Sequence, residues 1–432
     1  MNWFPMSNES KPRVLYIVYW GAAEPLGQSL VLPAVKRLAA KGADLTLVTF
    51  EKAADLERRE DIGRIRESLS DAGVRWIPLR YHKVPRVPAT VFDIAQGCAR
   101  SIAARVTSRF DIIHARTFIG GLIGLTLAPV LRAKLIYHNE GFYPDEQVDG
   151  GVWKSGSWPH RIAKRLEQTM YARAHGVIAL SLRAKKDIER LLEGKSKQTP
   201  VIVVPSCVDL DRFRSDGSKR PAEAGAPLKL VYMGSVGGRD IFDRIGRFVA
   251  VAGEDTKRAQ LRVLTRAPAD LIKSILNKSG LPDSAWSLGS IPHSQMPEQL
   301  ADSDAGLFFL TQGISEHGCS PTKIGEYWAM GLPVITTPNV SDTDEIIRRE
   351  RVGVVVNEHT DEEYSRALAE LQALLKDDQL AARCRRAAED HYALEPACDR
   401  QMNLYQSLLS QVALSSPAKP GARAHPIEDD AR

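Results

Sequence analysis

The sequence predicts an α/β protein of two domains, each built on a parallel sheet. Three observations point there. Twice, a strand-length apolar run passes into a glycine-containing loop and then a helix: residues 13–19 into 20–29, and 228–235 into the loop from Ser235 to Arg239. Elsewhere apolar runs of strand length alternate with amphipathic stretches of helix length, the pattern of βαβ units. And 432 residues exceed what one ordinary core holds.

In chain order, 13–19 is a strand, 20–29 a glycine loop, 31–40 a helix stopped near Gly42, and 45–50 a strand. The loop lacks GxGxxG and so carries no dinucleotide fingerprint. Residues 51–75 read as charged helix, 74–78 as a short strand, and 80–86 as a basic loop with an aromatic in it. A helix follows to about 108. Strands at 110–116 and 134–138 flank a helix beginning at Phe118, and 139–150 reads as an acidic loop. Residues 158–174 form an amphipathic helix in which Arg161, Lys164, Arg165 and Arg173 mix with Ile162, Leu166, Met170 and Tyr171. Such charges are a solvated face by default and an anionic-membrane contact on the sharper reading. Strands 176–181 and 201–205 complete a first domain over 1–206.

Residues 207–227 are a linker, rich in Gly, Pro and Ala from 215 onward. The second domain, 228–394, adds strands at 261–265, 305–310, 332–335 and 352–356, a strand plus loop over 286–293, then helices over 361–392. A last helix, 395–414, runs through Met402, Leu404, Tyr405, Leu408 and Leu409, and the polar tail 415–432 has the composition of a disordered segment.

Composition excludes several classes. Hydrophobic content of 44% and charged content of 26% are those of a globular chain. A net charge of +5 gives no reason to expect nucleic acid. Five scattered cysteines without a CxxC pair argue for a reducing compartment and against structural zinc. No stretch reads as a signal peptide or a membrane span. The expected location is the cytoplasm, or the inner face of the cell membrane as a peripheral protein.

The most informative stretch is 320–335, SPTKIGEYWAMGLPVI. Ser320 is suited to capping a helix and Pro321 to its first position. Ile324, Tyr327 and Trp328 give an apolar helical face, and Gly331 with Pro333 is a stop signal. A short buried strand follows. A helix start that attracts anions thus sits just before Glu326.

This stretch resembles the donor-site signature of the group-one (family four) retaining glycosyltransferases, in the subgroup with Ser-Pro-x-Lys. The resemblance implies the GT-B fold: two Rossmann-like domains facing across a cleft, with the C-terminal helix crossing back to the first domain. It implies a metal-independent hexosyltransferase that uses a nucleotide-diphosphate sugar as substrate, needs no cofactor, and serves polysaccharide or glycoconjugate synthesis. The acceptor would be a glycan or lipid-linked.

The same resemblance distributes roles. Glu326 would hold the ribose hydroxyls, a charge-assisted task suited to a carboxylate. Gly234, Ser235, Ser320, Pro321 and Thr322 would meet the diphosphate sugar, and the loop around Ser290 the base. Lys323 and Arg239 are the cations for the diphosphate. Gly27 and Gln28 lie in the loop that faces the cleft, and His114 and Arg116 match an Asp-x-Ile-His-x-Arg strand end. Asp145 and Glu146 are acceptor-side candidates, or a solvated acidic loop. Two departures stand out: Glu140 replaces an Arg of the subgroup, and Gly318 replaces a second Glu found eight residues before the ribose Glu in many members.

Asp209-Leu-Asp211, Asp302-Ser-Asp304 and Asp342-Thr-Asp344 match the Asp-x-Asp of metal-dependent transferases, but each has a duller reading as hinge, helix end or turn. Two rivals remain open at this level: a nucleotide-sugar epimerase or phosphorylase of the same fold, and a non-catalytic donor-binding partner.

Overall fold

The computed structural model describes residues 11–194, 198–214, 226–256, 259–291 and 295–415. Most of the polar linker (215–225), the loop beyond Ser290 (292–294) and the tail from 416 lie outside the described residues.

Two parallel sheets carry the chain. The first contains β1 (Arg13–Val18), β2 (Asp44–Glu51), β3 (Arg75–Arg80), β4 (Ile112–Arg116), β5 (Lys134–His138), β6 (Gly176–Ala179) and β7 (Val201–Val203). Their order is β3-β2-β1-β4-β5-β6-β7. The second contains β8 (Leu228–Met233), β9 (Ala259–Leu264), β10 (Trp286–Gly289), β11 (Ala305–Phe308), β12 (Val334–Thr336) and β13 (Gly353–Val355), ordered β10-β9-β8-β11-β12-β13. Strands β1, β4, β11 and β12, and the edge strand β13, are buried almost throughout. That burial is why they read as continuous apolar runs: helices cover both faces of each sheet. Each sheet reverses direction once, between β1 and β4 and between β8 and β11. In open parallel sheets the crevice beyond the strand ends at such a point is where ligands bind.

The helix Thr322–Ala329 is pinned to the second sheet. Trp328 donates from Nε1 to the Val352 carbonyl at 2.9 Å, and the Tyr327 hydroxyl accepts from Met233 N at 3.0 Å. A Cβ at Gly306 would lie 2.4 Å from the Tyr327 ring, so the strand needs glycine there. Burying Ile324, Tyr327 and Trp328 contributes about 1.5–3 kcal/mol each. Gly331, at φ +75°, ends the helix. Ser320 does not cap it: its Oγ accepts from Ser206 N at 3.0 Å and ties the helix start to the end of the first domain. The described N-cap is Pro321, without a side-chain cap.

The helix Leu394–Ser415 returns to the first domain. Ala397, Cys398, Met402, Leu404, Tyr405 and Leu408 join the core formed by Val14, Tyr16, Val35, Ile136 and Ile178.

One further difference matters for the site. The 139–150 segment is not all loop: Tyr143–Asp149 is helical, with Pro144 in the first turn and Asp145 and Glu146 beside the positive helix end.

Candidate active site

The second sheet's reversal gathers cations. β8 ends at Met233 and turns through Gly234, whose φ of +137° favours glycine. The Lys323 ammonium lies directly over that turn: a Cβ on Gly234 would sit 2.6 Å from Nζ. Lys323 also stands 4.1 Å from the Phe308 ring centroid and 5.0 Å from that of Tyr232, with Asp240 Oδ1 at 3.5 Å. Burial pushes its pKa down, against the pull of Asp240. The Tyr232 hydroxyl donates to the Ser235 carbonyl and shapes the turn.

Arg239 extends from the same loop. Its guanidinium donates to Ser315 Oγ at 3.2 Å and lies 3.6 Å from Glu316 and 3.4 Å from Glu146 of the first domain. Burial opposes its charge, but Glu146 and Glu316 hold its pKa above the usual value. Burial raises Glu146 in turn, with Arg239 opposing. Glu326 is buried in the second turn of the helix at Thr322–Ala329.

The first sheet's reversal is balanced rather than cationic. Arg116, the last residue of β4, donates from Nε to Glu140 Oε1 at 2.5 Å. Its guanidinium lies 5.6 Å from the Trp20 ring centroid. Glu140, the residue that breaks the subgroup's pattern, is therefore the counter-charge of Arg116. His114 is fully buried. Its Nδ1 is 2.6 Å from the Tyr405 hydroxyl, its Nε2 is 2.9 Å from His138 Nδ1, and it stacks on Tyr16. Burial, and then the charge of Arg116, pushes both imidazoles well below their usual pKa, so both are neutral. His114 faces the crossover helix, not the cleft.

The other first-domain candidates are spread out. Gly27 is a packing requirement, since its Cβ would lie 2.1 Å from the Gly21 carbonyl. Gln28 donates to the Ala22 carbonyl at 3.0 Å. Glu51, buried at the end of β2, accepts from Ala22 N and Ala23 N and fixes this loop. Asp145 pairs with Lys164 at 2.5 Å. Lys164 also meets buried Glu167, whose pKa burial pushes up to about 7. Lys164 thus faces inward, unlike its exposed neighbours Arg161 and Arg165. Ser290 is exposed beyond β10, two strands away from β8.

The domains meet closely around Gly318. A Cβ there would lie 2.9 Å from the Phe142 ring and 3.0 Å from Phe142 N, which leaves no room for a glutamate. Asp149 accepts from Ser315 N at 3.3 Å. On the other side, Asp342 accepts from Leu182 N and Arg183 N, while Arg183 pairs with Asp344. Three of the four remaining Asp-x-Asp acids are also engaged. Lys229 pairs with Asp302, Asp304 accepts from Lys229 N, and Asp209 accepts from Asp211 N and Arg212 N. Among the described residues no cluster of three or more His, Cys, Asp or Glu could hold a metal ion, and no helix is long and apolar enough to cross a membrane.

Sequence reasoning gave no site role to Trp20, Glu51, His138 or Tyr405, and none of the four carried a signal; Glu140 did, through its reversed charge.

Comparison with known proteins bears on the whole arrangement. Residues 29–212 match the model described as Glycosyltransferase Family 4, and 229–373 the model described as Glycosyl transferases group 1. No curated protein sequence matches. Among solved structures, the chain is similar to sucrose-phosphate synthase from Thermosynechococcus elongatus (16% identity, 93% of this chain and 100% of that one, TM-score 0.67). It is similar to WaaG, a glycosyltransferase involved in lipopolysaccharide biosynthesis (16% identity, 90% and 99%, TM-score 0.62). HepE from Anabaena in complex with UDP matches at 13% identity over 93% and 100%, with a TM-score of 0.60. At these identities the likeness shows the fold, GT-B.

Proposed function

The chain belongs to the group 1 glycosyltransferases, and we propose from that premise that it moves a sugar, with retention of anomeric configuration, from a nucleotide-diphosphate sugar to a glycan or lipid-linked acceptor in cell-surface polysaccharide or glycoconjugate synthesis. One observation carries the reading: Lys323, Arg239, the Gly234 turn and the start of the helix holding Glu326 converge at the second sheet's reversal.

The chemistry follows from that set. Breaking the anomeric C–O bond leaves charge on a diphosphate. A buried ammonium, a guanidinium and helix-start amides stabilise that charge in a site of low dielectric. Glu326 takes the ribose hydroxyls. The resemblance supplies the rest: the acceptor oxygen attacks on the face from which the diphosphate leaves, and a diphosphate oxygen receives its proton. The neighbour HepE, described in complex with UDP-glucose, supports a nucleotide sugar as donor. The test is a thermal-shift panel of UDP-, GDP-, TDP- and ADP-sugars, since a ligand that binds only the native state raises Tm. One of the four classes should stabilise the protein by several degrees; a flat panel overturns the reading.

The lipid-linked variant of the acceptor has its own support. Val84, Val87, Val91 and Phe92 are exposed beside Lys83 and Arg86, and Trp158 and Ile162 are exposed beside Arg161 and Arg165. Both groups flank the helix Tyr143–Asp149, to which Arg86 bonds through Gln147 at 3.0 Å. Each cation near an anionic surface contributes about 1 kcal/mol. The protein should co-sediment with anionic liposomes at low salt and be released at high salt, with Lys83, Arg161 and Arg165 changed to Ser weakening it. Wild-type protein left in the supernatant at low salt rules the membrane out.

A further inference from the structure

The crevice at the first sheet's reversal has a composition of its own. Trp20 follows β1, Arg116 ends β4 and Glu140 follows β5, so three neighbouring strands deliver an indole, a guanidinium and a carboxylate to one place. Glu140 uses Oε1 for Arg116, while Oε2 has no partner among the described residues and the side chain keeps 12% exposure.

Two buried imidazoles lie behind the carboxylate. His138 Nε2 is 3.4 Å from Glu140 Oε1, with no hydrogen bond between them, and His138 Nδ1 meets His114 Nε2 at 2.9 Å.

A carboxylate with a free oxygen, a guanidinium and a partly exposed indole together match a sugar ring. Vicinal hydroxyls donate to the carboxylate, ring oxygens accept from the guanidinium, and the apolar C–H face lies on the indole. An anionic ring is a poor match, because the Arg116 charge is already compensated by Glu140 and the nearby Glu146 adds a second carboxylate. We propose that Trp20, Arg116 and Glu140 form the acceptor subsite, and that it takes an uncharged sugar ring whose vicinal hydroxyls are held by Glu140. This rests on the glycosyltransferase reading above and names the acceptor class within it.

The experiment uses the full chain and the nucleotide sugar selected by the thermal-shift panel. Nucleoside diphosphate release is followed with octyl β-D-glucoside, galactoside and mannoside, and separately with glucose 6-phosphate and glucuronic acid. Neutral hexosides should stimulate release and the two anions should not. Glu140→Gln should raise the hexoside KM about tenfold or more, as expected for a lost hydrogen bond to a charged group. Glu140→Asp should recover part of that loss. Retention of the nucleotide-induced rise in Tm identifies variants that are folded. Preference for the anionic sugars overturns the proposal, as does an unchanged KM in a folded Glu140→Gln. So does the absence of stimulation by every neutral hexoside in a preparation that hydrolyses the donor. A preparation that neither binds nor hydrolyses any nucleotide sugar fails earlier, at the glycosyltransferase reading.

Discussion

The two sheet reversals share a geometry and differ in how closely their cations are held by carboxylates. In the second domain Lys323 sits over a glycine turn with Asp240 at the margin of contact, and Arg239 reaches from the same loop. In the first domain Arg116 is closed by Glu140 at 2.5 Å and Lys164 by Asp145, also at 2.5 Å. Position beyond the strand ends makes a ligand site available in both; the charge left over decides what enters. A diphosphate needs cations that can turn to it. A sugar ring needs a donor and an acceptor already fixed in place.

The contrast can be broken most severely at Lys323. Lys323→Met keeps the apolar stem among Phe308 and Tyr232 and removes the charge. Turnover should fall about 100- to 1,000-fold, the range for losing one preorganised stabiliser of a developing anion. Steady-state release of the nucleoside diphosphate measures it, and near-normal turnover would remove Lys323 from the chemistry.

Glu326→Ala comes next. Nucleoside diphosphate binding should weaken by about 1.5–3 kcal/mol, roughly 10- to 150-fold. Calorimetric titration reads this directly, and wild-type affinity in the variant would assign the ribose to another residue.

The first domain's row of imidazoles sets a smaller, pH-dependent effect. His114 and His138 have pKa values below the 6.5 of a free imidazole. Below pH 6.5 the unfolded chain therefore binds protons that the folded chain refuses, and stability is lost as pH falls. The slope is up to about 1.4 kcal/mol per pH unit for each ring. Glu167, raised by burial, acts in the opposite sense. The difference in Tm between wild type and a His114→Gln, His138→Gln double variant cancels that term. Wild type should lose more between pH 7 and pH 5, and parallel curves would show that the rings titrate normally.

The smallest expected effect is that of EDTA. With charge on the diphosphate met by side chains and amides, transfer should continue in its presence. Loss of activity that manganese or magnesium restores would assign a metal to the donor side.

The strands and both glycine loops were legible in the sequence because buried parallel strands are continuous apolar runs and loops between them need glycine. The signature helix was legible for the same reason, through Ile324, Tyr327 and Trp328. Which partner a polar residue finds was not. His114 ends a strand, where ligands bind, yet its ring turns to Tyr405, 291 residues away. Lys164 reads as part of a basic face, yet it lies one helical turn from Glu167 and meets Asp145. Glu140 and Gly318 were visible as departures from a pattern, but their reasons, a counter-charge for Arg116 and the approach of Phe142, exist only in three dimensions. Ser320 has the chemistry of a helix cap and is used instead to tie the two domains at Ser206.

The crossover helix gives the chain a timing problem during synthesis. The last strand of the first sheet ends at Val203, but the groove over Val35, Ile136 and Ile178 is filled only by residues 397–408. At bacterial-to-eukaryotic ribosome speeds of about 5–20 residues per second, that delay is roughly 10–40 s. For that interval the nascent first domain carries an open apolar groove and a His114 ring without its Tyr405 partner. A chaperone has a defined window in which to act, and it closes only when the far end of the chain arrives.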